Sequence, residues 1–161
     1  MGIEAVREYL KGFGKDHEVI EFAASSSTVE LAAKEAGTEP ARIAKTLAFF
    51  GKDQDSALLV VAAGDARMHS GSFKRAFGFK ARMLPAELVQ ELTGHPVGGV
   101  CPFANPEGAR VYLDESLRRF DTVWPAAGST NSAIRLGLDE LEKLSGAVGW
   151  VDITRGWQPQ D

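Results

Sequence analysis

Residues 41–63 read ARIAKTLAFF, GKDQD and SALLVVAA, two apolar runs joined by a short polar stretch, and their reading decides the fold. The second run, Ser56 to Ala63, is almost continuously apolar, the pattern of a strand covered on both faces. Gly51 to Asp55 supplies a polar turn, so the two runs predict a central hairpin. Pro40 suits the first turn of a short helix, ARIA, which leads into Lys45 and the strand KTLAFF. That places one lysine at an element junction among apolar neighbours.

Outward from the hairpin, helix and strand signals alternate. Upstream, Ile3, Val6 and Leu10 repeat at helical spacing until Gly12 and Gly14 interrupt, and His17 to Phe22 reads as a short strand. Ser27 and Glu30 form a capping box ahead of VELAAKEA, and Gly37 supplies its stop. Downstream, SGSFKRAF reads as a helix ending at Gly78, FKARML as a strand, and PAELVQEL as a helix opened by Pro85 and closed by Gly94. The loop HPVGGVCPFANPEG follows, long enough to be functional. ARVYLD and DTVWPAA read as strands on either side of ESLRRF, a short helix capped by Asp114. GSTN is a turn; SAIRL, the helix LDELEKL closed by Gly146, the strand VGWVDI and a polar tail, RGWQPQD, complete the chain. This order predicts an α+β fold: one domain over 1–161, a mixed sheet or partly closed barrel surrounded by short helices.

With 161 residues, 44% of them hydrophobic, the chain fits one domain with a real core. A formal charge of -4 gives no global basic field, so DNA is not an expected partner and RNA contact has to use a local patch. One cysteine excludes an internal disulfide. His17, His69 and His95 are too scattered for a metal motif, and neither GxGxxG nor a P-loop follows a strand, so no metal or cofactor is expected. The N-terminal stretch has no signal-peptide apolar region and no run spans a membrane, which predicts a soluble cytoplasmic protein.

Four features carry candidate chemistry. Lys45 either snorkels to water or aims its ammonium at an anionic group or a carbonyl oxygen. In GGVCPF, Gly98 and Gly99 permit close approach while Pro102 restricts the chain, so the amides of Gly99, Val100 and Cys101 could face a carbonyl or oxyanion, or the segment is an ordinary tight loop. Cys101 could be a nucleophile with His95 as base, or a small apolar filler. In FKRAFGFKAR, Phe73, Phe77 and Phe79 alternate with Lys74, Arg75, Lys80 and Arg82, a mixture that grips nucleic acid or lines an amphipathic helix. GSTN offers Ser129 and Asn131 as polar groups.

Taken in order, TVELAAKEAG, RIAKTLAF, LLVVAAGDARM, GGVCPF, WPAAGSTNSAIRL and LDELEKLSG with WVDI resemble the YbaK and prolyl-tRNA synthetase editing-domain family over nearly the whole chain. The sharpest matches are Lys45 and the glycine-x-x-x-proline loop, Gly98 to Pro102. The resemblance implies a free-standing aminoacyl-tRNA deacylase acting in trans on a small wrong amino acid, most often on tRNA for proline. It also implies that Lys45, Gly98 and Gly99 do the catalytic positioning, and that Val100, Cys101, Pro102, Thr28, Ser129 and Asn131 bind the substrate. Lys74, Arg75, Lys80 and Arg82 would touch the acceptor end, and a synthetase could recruit the protein. The alternatives are a non-catalytic member that binds a tRNA end or a protein, and a thiol-dependent hydrolase using Cys101.

Overall fold

A computed structural model describes residues 2–158. In chain order its elements are α1 (Ile3–Lys11), β1 (Ile20–Glu21), α2 (Val29–Ala36), β2 (Ile43–Phe50), β3 (Ala57–Ala63), β4 (Arg67–Met68), α3 (Ser70–Phe77) and α4 (Ala86–Thr93). These are followed by β5 (Arg110–Asp114), β6 (Thr122–Pro125), β7 (Ser132–Ala133), β8 (Leu136–Gly137), α5 (Leu138–Ser145), β9 (Gly149–Val151) and β10 (Thr154–Arg155). Short 3-10 turns occupy Asp16–Glu18, Pro40–Arg42 and Glu115–Arg119.

The two apolar runs form the predicted hairpin, β2 antiparallel to β3 with Lys45 opposite Ala62. Around it a mixed six-stranded sheet takes the order β8-β6-β2-β3-β5-β9 and curls into a half-barrel, as the predicted α+β class requires. All seven residues of β3 are buried because both faces are covered. Leu59 and Val61 join Val6 and Leu10 of α1 and Leu141 of α5, whereas Leu58 and Val60 join Phe49, Phe73 and Ile153. Burying each such side chain stabilises by about 1.5–3 kcal/mol.

Local chemistry corrects several boundaries. The cap of α2 is Thr28, whose Oγ1 accepts the Leu31 N–H at 3.2 Å, rather than Ser27. The 3-10 turn gives way to strand at Ile43, so Lys45 lies inside β2 and not at its head. His17 to Phe22 is mostly turn, with strand pairing confined to Ile20 and Glu21. FKARML is not a strand. It meets β2 by one bridge, Phe49 with Met83, and by bonds from Phe50 to Arg82 and from Leu84 to Ala48, while Phe79 and Ala81 pack into the second cluster.

Where the polar tail begins, at Arg155, the chain is also tied down. Thr154 and Arg155 pair with Met68 and Arg67. Asp114, fully buried, accepts hydrogen bonds from Ser116 N, Ile153 N and Thr154 Oγ1 at 3.0, 2.9 and 2.6 Å. A carboxylate is tolerated in a core only when its lone pairs are filled in this way.

Candidate functional site

The strand order creates the site. β6 runs parallel to β2 only through Ile43 and Ala44, opposite Trp124 and Pro125, and then departs. Farther along, residues 82–84 cover the same edge of β2 from Ala48 onward. Between these covers lies a cavity of about 240 Å³, bounded by α2, β2, the end of β6, β7 and the glycine loop. This volume lies just below the range of about 300–1,000 Å³ usual for drug-sized ligands, so the cavity suits a small ligand. Its walls are Val29, Ile43 and Trp124 with several alanines, its side-chain polar groups include hydroxyls, and Lys45 is the sole ionisable side chain lining it among the described residues.

Lys45 is half-buried, and its ammonium donates to the Gly64 carbonyl at 3.3 Å and to the Ala66 carbonyl. Two of its three N–H donors are thereby used, leaving one for the pocket. Burial lowers its pKa below the usual lysine value, opposed by the charges of Asp65 and Glu30. Asp65 spends its carboxylate elsewhere, on a two-pronged contact with Arg119 at 2.6 and 3.0 Å that holds its pKa down. The turn carrying both carbonyls is wedged against Pro40: a Cβ on Gly64 would lie 2.0 Å from the Pro40 carbonyl oxygen.

The loop after α4 is held from behind. Cys101, Pro102 and Phe103 are buried, and Asn105 Nδ2 donates to the carbonyls of Thr93 at 2.8 Å and Cys101 at 3.0 Å. Gly98, at φ +87°, and Val100 face the cavity. Gly99 packs backbone to backbone on Ser129, and its N–H is already bonded to the Pro96 carbonyl at 2.9 Å, which removes it from the expected set of substrate donors. Pro102 lines a different cavity, and the Cys101 side chain is sealed in the core.

The geometry also separates Cys101 from a base. His95 Nε2 lies 2.6 Å from the Phe103 carbonyl, which can only accept, so Nε2 carries the proton and cannot take one from the thiol 3.4 Å away. Burial pushes the Cys101 thiol up to about 12 and lowers the His95 pKa.

Exposed Thr28 lines the cavity, while half-buried Ser129 and Asn131 do not line it and adjoin it only through Ser132. Asn131 Oδ1 only accepts, so the Ser129 hydroxyl donates to it at 3.0 Å and receives the Ser132 hydroxyl proton at 2.6 Å. Asn131 Nδ2 closes the chain on the Phe22 carbonyl. Ser132 is the member that reaches the cavity, with its oxygen lone pairs unspent. Sequence reading missed Ser132, Thr46 and Trp124; SAIRL drew no functional reading, KTLAFF and DTVWPAA read as strands, and only the parting of β2 from β6 shows that their residues line a hole.

The four expected RNA-contact cations are exposed and lie elsewhere. Lys80 and Arg82 flank a cleft with Phe50 and Lys52 at the far end of β2, and Lys74 and Arg75 sit on the outer face of α3. Phe50 is five residues beyond Lys45, roughly 16 Å along a strand. The rings of Phe73, Phe77 and Phe79 pack on one another with centroids 4.7 to 6.3 Å apart, as core and not as a stacking platform.

A curled mixed sheet with a small hydroxyl-lined pocket, one lysine and a glycine-proline loop defines an α+β domain with a candidate ligand site. Residues 23–144 match the model of the aminoacyl-tRNA editing domain, and the chain belongs to that family. It is 46% identical over 158 residues to the uncharacterized protein YwhH of Bacillus subtilis (strain 168), covering 98% of this chain and 100% of that one. A solved structure described as a "putative trans-editing enzyme for prolyl tRNA synthetase" superposes with a TM-score of 0.85 at 34% identity, over 96% of this chain and 97% of the other. The hypothetical protein APE2540 superposes with a TM-score of 0.81 at 30% identity, over 94% of this chain and 99% of its own. The family, together with the trans-editing neighbour, supports a function in aminoacyl-tRNA editing and so in translation fidelity. Among the described residues no helix is long and apolar enough to cross a membrane.

Proposed function

We propose that this protein hydrolyses the ester between a wrongly attached small amino acid and the 3′ adenosine of a tRNA, with tRNA for proline as the carrier. The observation that carries the reading is a pocket of aminoacyl size whose single charged group is Lys45. An aminoacyl ester is already activated, so a placed water and a stabilised oxyanion suffice where an amide would demand a nucleophile and base. The remaining Lys45 N–H holds the ester carbonyl or the terminal nucleotide, and Gly98 and Val100 fix the aminoacyl group against it. Water adds to the carbonyl carbon, the ester C–O bond breaks, and the ribose oxygen takes a proton as it leaves. With no carboxylate or histidine lining the pocket among the described residues, a ribose hydroxyl of the tRNA relays the proton.

The tRNA acceptor end then extends toward Lys74, Arg75, Lys80 and Arg82, and a prolyl-tRNA synthetase that releases the mischarged product is the natural partner. The structural neighbour described as a "putative trans-editing enzyme for prolyl tRNA synthetase" supports that pairing. The same lack of a protein base favours a second reading, a member that binds the tRNA end without turning it over. Incubation with tRNAs charged with alanine, serine, cysteine or proline separates the two. Ester loss faster than the spontaneous rate supports the deacylase; tight binding at the spontaneous rate overturns it.

A further inference from the structure

Among the described residues, Thr46 is the one lining the pocket whose polar side-chain atom is buried without a partner. Its Oγ1 has no hydrogen-bond partner among the described residues, although Thr46 lines the cavity. Hydroxyls in folded proteins are nearly always satisfied, and leaving one buried and unpaired costs about 1–3 kcal/mol. Its position explains why nothing in the protein reaches it. Ala44 is covered by β6 and Ala48 by the Leu84 N–H, while Thr46 lies between them on the uncovered stretch of β2. Ser132, across the cavity and 1% exposed, keeps its oxygen lone pairs free because its proton goes to Ser129.

From this pair of unspent groups we infer that Thr46 determines amino-acid specificity: its hydroxyl bonds a hydroxyl on the side chain of the esterified amino acid, so the pocket prefers β-hydroxy aminoacyl groups, with seryl the smallest, over alanyl. The assignment rests on the proposed substrate and adds its chemistry. A hydroxyl-bearing substrate satisfies Thr46 and can also donate to Ser132, whereas an alanyl group leaves the Thr46 hydroxyl unpaired in a desolvated site. Sites that hydrogen-bond a substrate hydroxyl discriminate against analogues lacking it far more strongly than apolar pockets discriminate by size.

The test compares wild type, Thr46→Val and Thr46→Ser, with seryl- and alanyl-tRNA for proline as substrates and the seryl and alanyl amides of 3′-amino-3′-deoxyadenosine as uncleavable ligands. Wild type is expected to favour seryl by at least about tenfold in kcat/KM and in affinity. Val removes that preference and Ser retains it. Because Val deletes an unpaired hydroxyl at nearly constant volume, it is also expected to raise the Tm by about 2–4 °C. Equal cleavage of both esters by wild type, or a Tm that falls in Thr46→Val, overturns the role of Thr46 while leaving the deacylase reading intact. A seryl preference in amide binding with no ester cleavage does the reverse. Absence of both binding and cleavage removes both.

Discussion

Replacing Gly99 with alanine tests whether the glycine loop is held by its seat on the Ser129 backbone. A Cβ built on Gly99 would lie 2.8 Å from the N, Cα and C atoms of Ser129, where ordinary contact begins at 3.4 Å. Backbone cannot swing aside as a side chain can, so the two segments must part by about half an ångström, at a cost of about 1–3 kcal/mol. Neither Gly98 nor Val100 can stay against the pocket while Gly99 moves. A shift of that size in a positioning loop predicts a loss of about tenfold to a hundredfold in kcat/KM. Gly108→Ala is the control: its Cβ would meet only Ser56 Cβ at 3.5 Å, and both stability and turnover are expected to hold. Urea unfolding and single-turnover deacylation of seryl-tRNA read the two effects separately. If Gly99→Ala unfolds at the same urea midpoint as Gly108→Ala and turns over at its rate, the loop is not positioned by that contact and the reasoning fails.

Lys45→Met removes the ammonium at similar length and is expected to lower kcat/KM by about ten- to a hundredfold, the worth of one charge-assisted hydrogen bond, with substrate affinity measured alongside. Because burial lowers the Lys45 pKa, deacylation in wild type is expected to decline at a pH below the usual lysine range, after correction for spontaneous hydrolysis. Stability runs the other way: between the folded and unfolded pKa values of Lys45 the unfolded chain binds more protons, so this residue's contribution rises with pH. Cys101→Ala is expected to keep its deacylase rate, and iodoacetamide to leave the native protein unlabelled, since the thiol is fully buried and pushed up to about 12; loss of activity on labelling contradicts this. Lys80→Ala with Arg82→Ala is expected to reduce the slope of log affinity for tRNA against log salt by about 0.7 to 0.9 per phosphate contact removed, and an unchanged slope excludes the pair from the RNA path.

The hairpin was legible because β3 is apolar at every position and the turn before it is polar. The C-terminal glycines of α2, α3, α4 and α5 were legible too, each adopting the left-handed conformation that ends a helix. Lys45 stood out as a charge among apolar residues. The pocket itself was not readable. Ser132, Thr46 and Trp124 look like ordinary strand residues, and they line a cavity only because β6 leaves β2 after two residue pairs, a non-local event no local pattern encodes. FKARML misled for a related reason: its Phe79 and Ala81 are apolar for packing against α3, not for strand pairing. Ser129 and Asn131 have the right chemistry but lie off the lining, bonded to Ser132 and to the Phe22 carbonyl.

The ammonium of Lys45 rests on main-chain oxygens and has no carboxylate of its own. A lysine locked to an aspartate is an ion pair that an incoming ester has to break, and it presents almost no net field. Here the neighbouring Asp65 is drawn off by Arg119, and the dipoles of two carbonyls orient the cation without cancelling it. The positive charge is therefore set in place before substrate arrives and stays unspent. Because its supports are backbone, no side-chain replacement at Gly64 or Ala66 deletes the acceptors, and added salt cannot compete for them as it does for a surface pair.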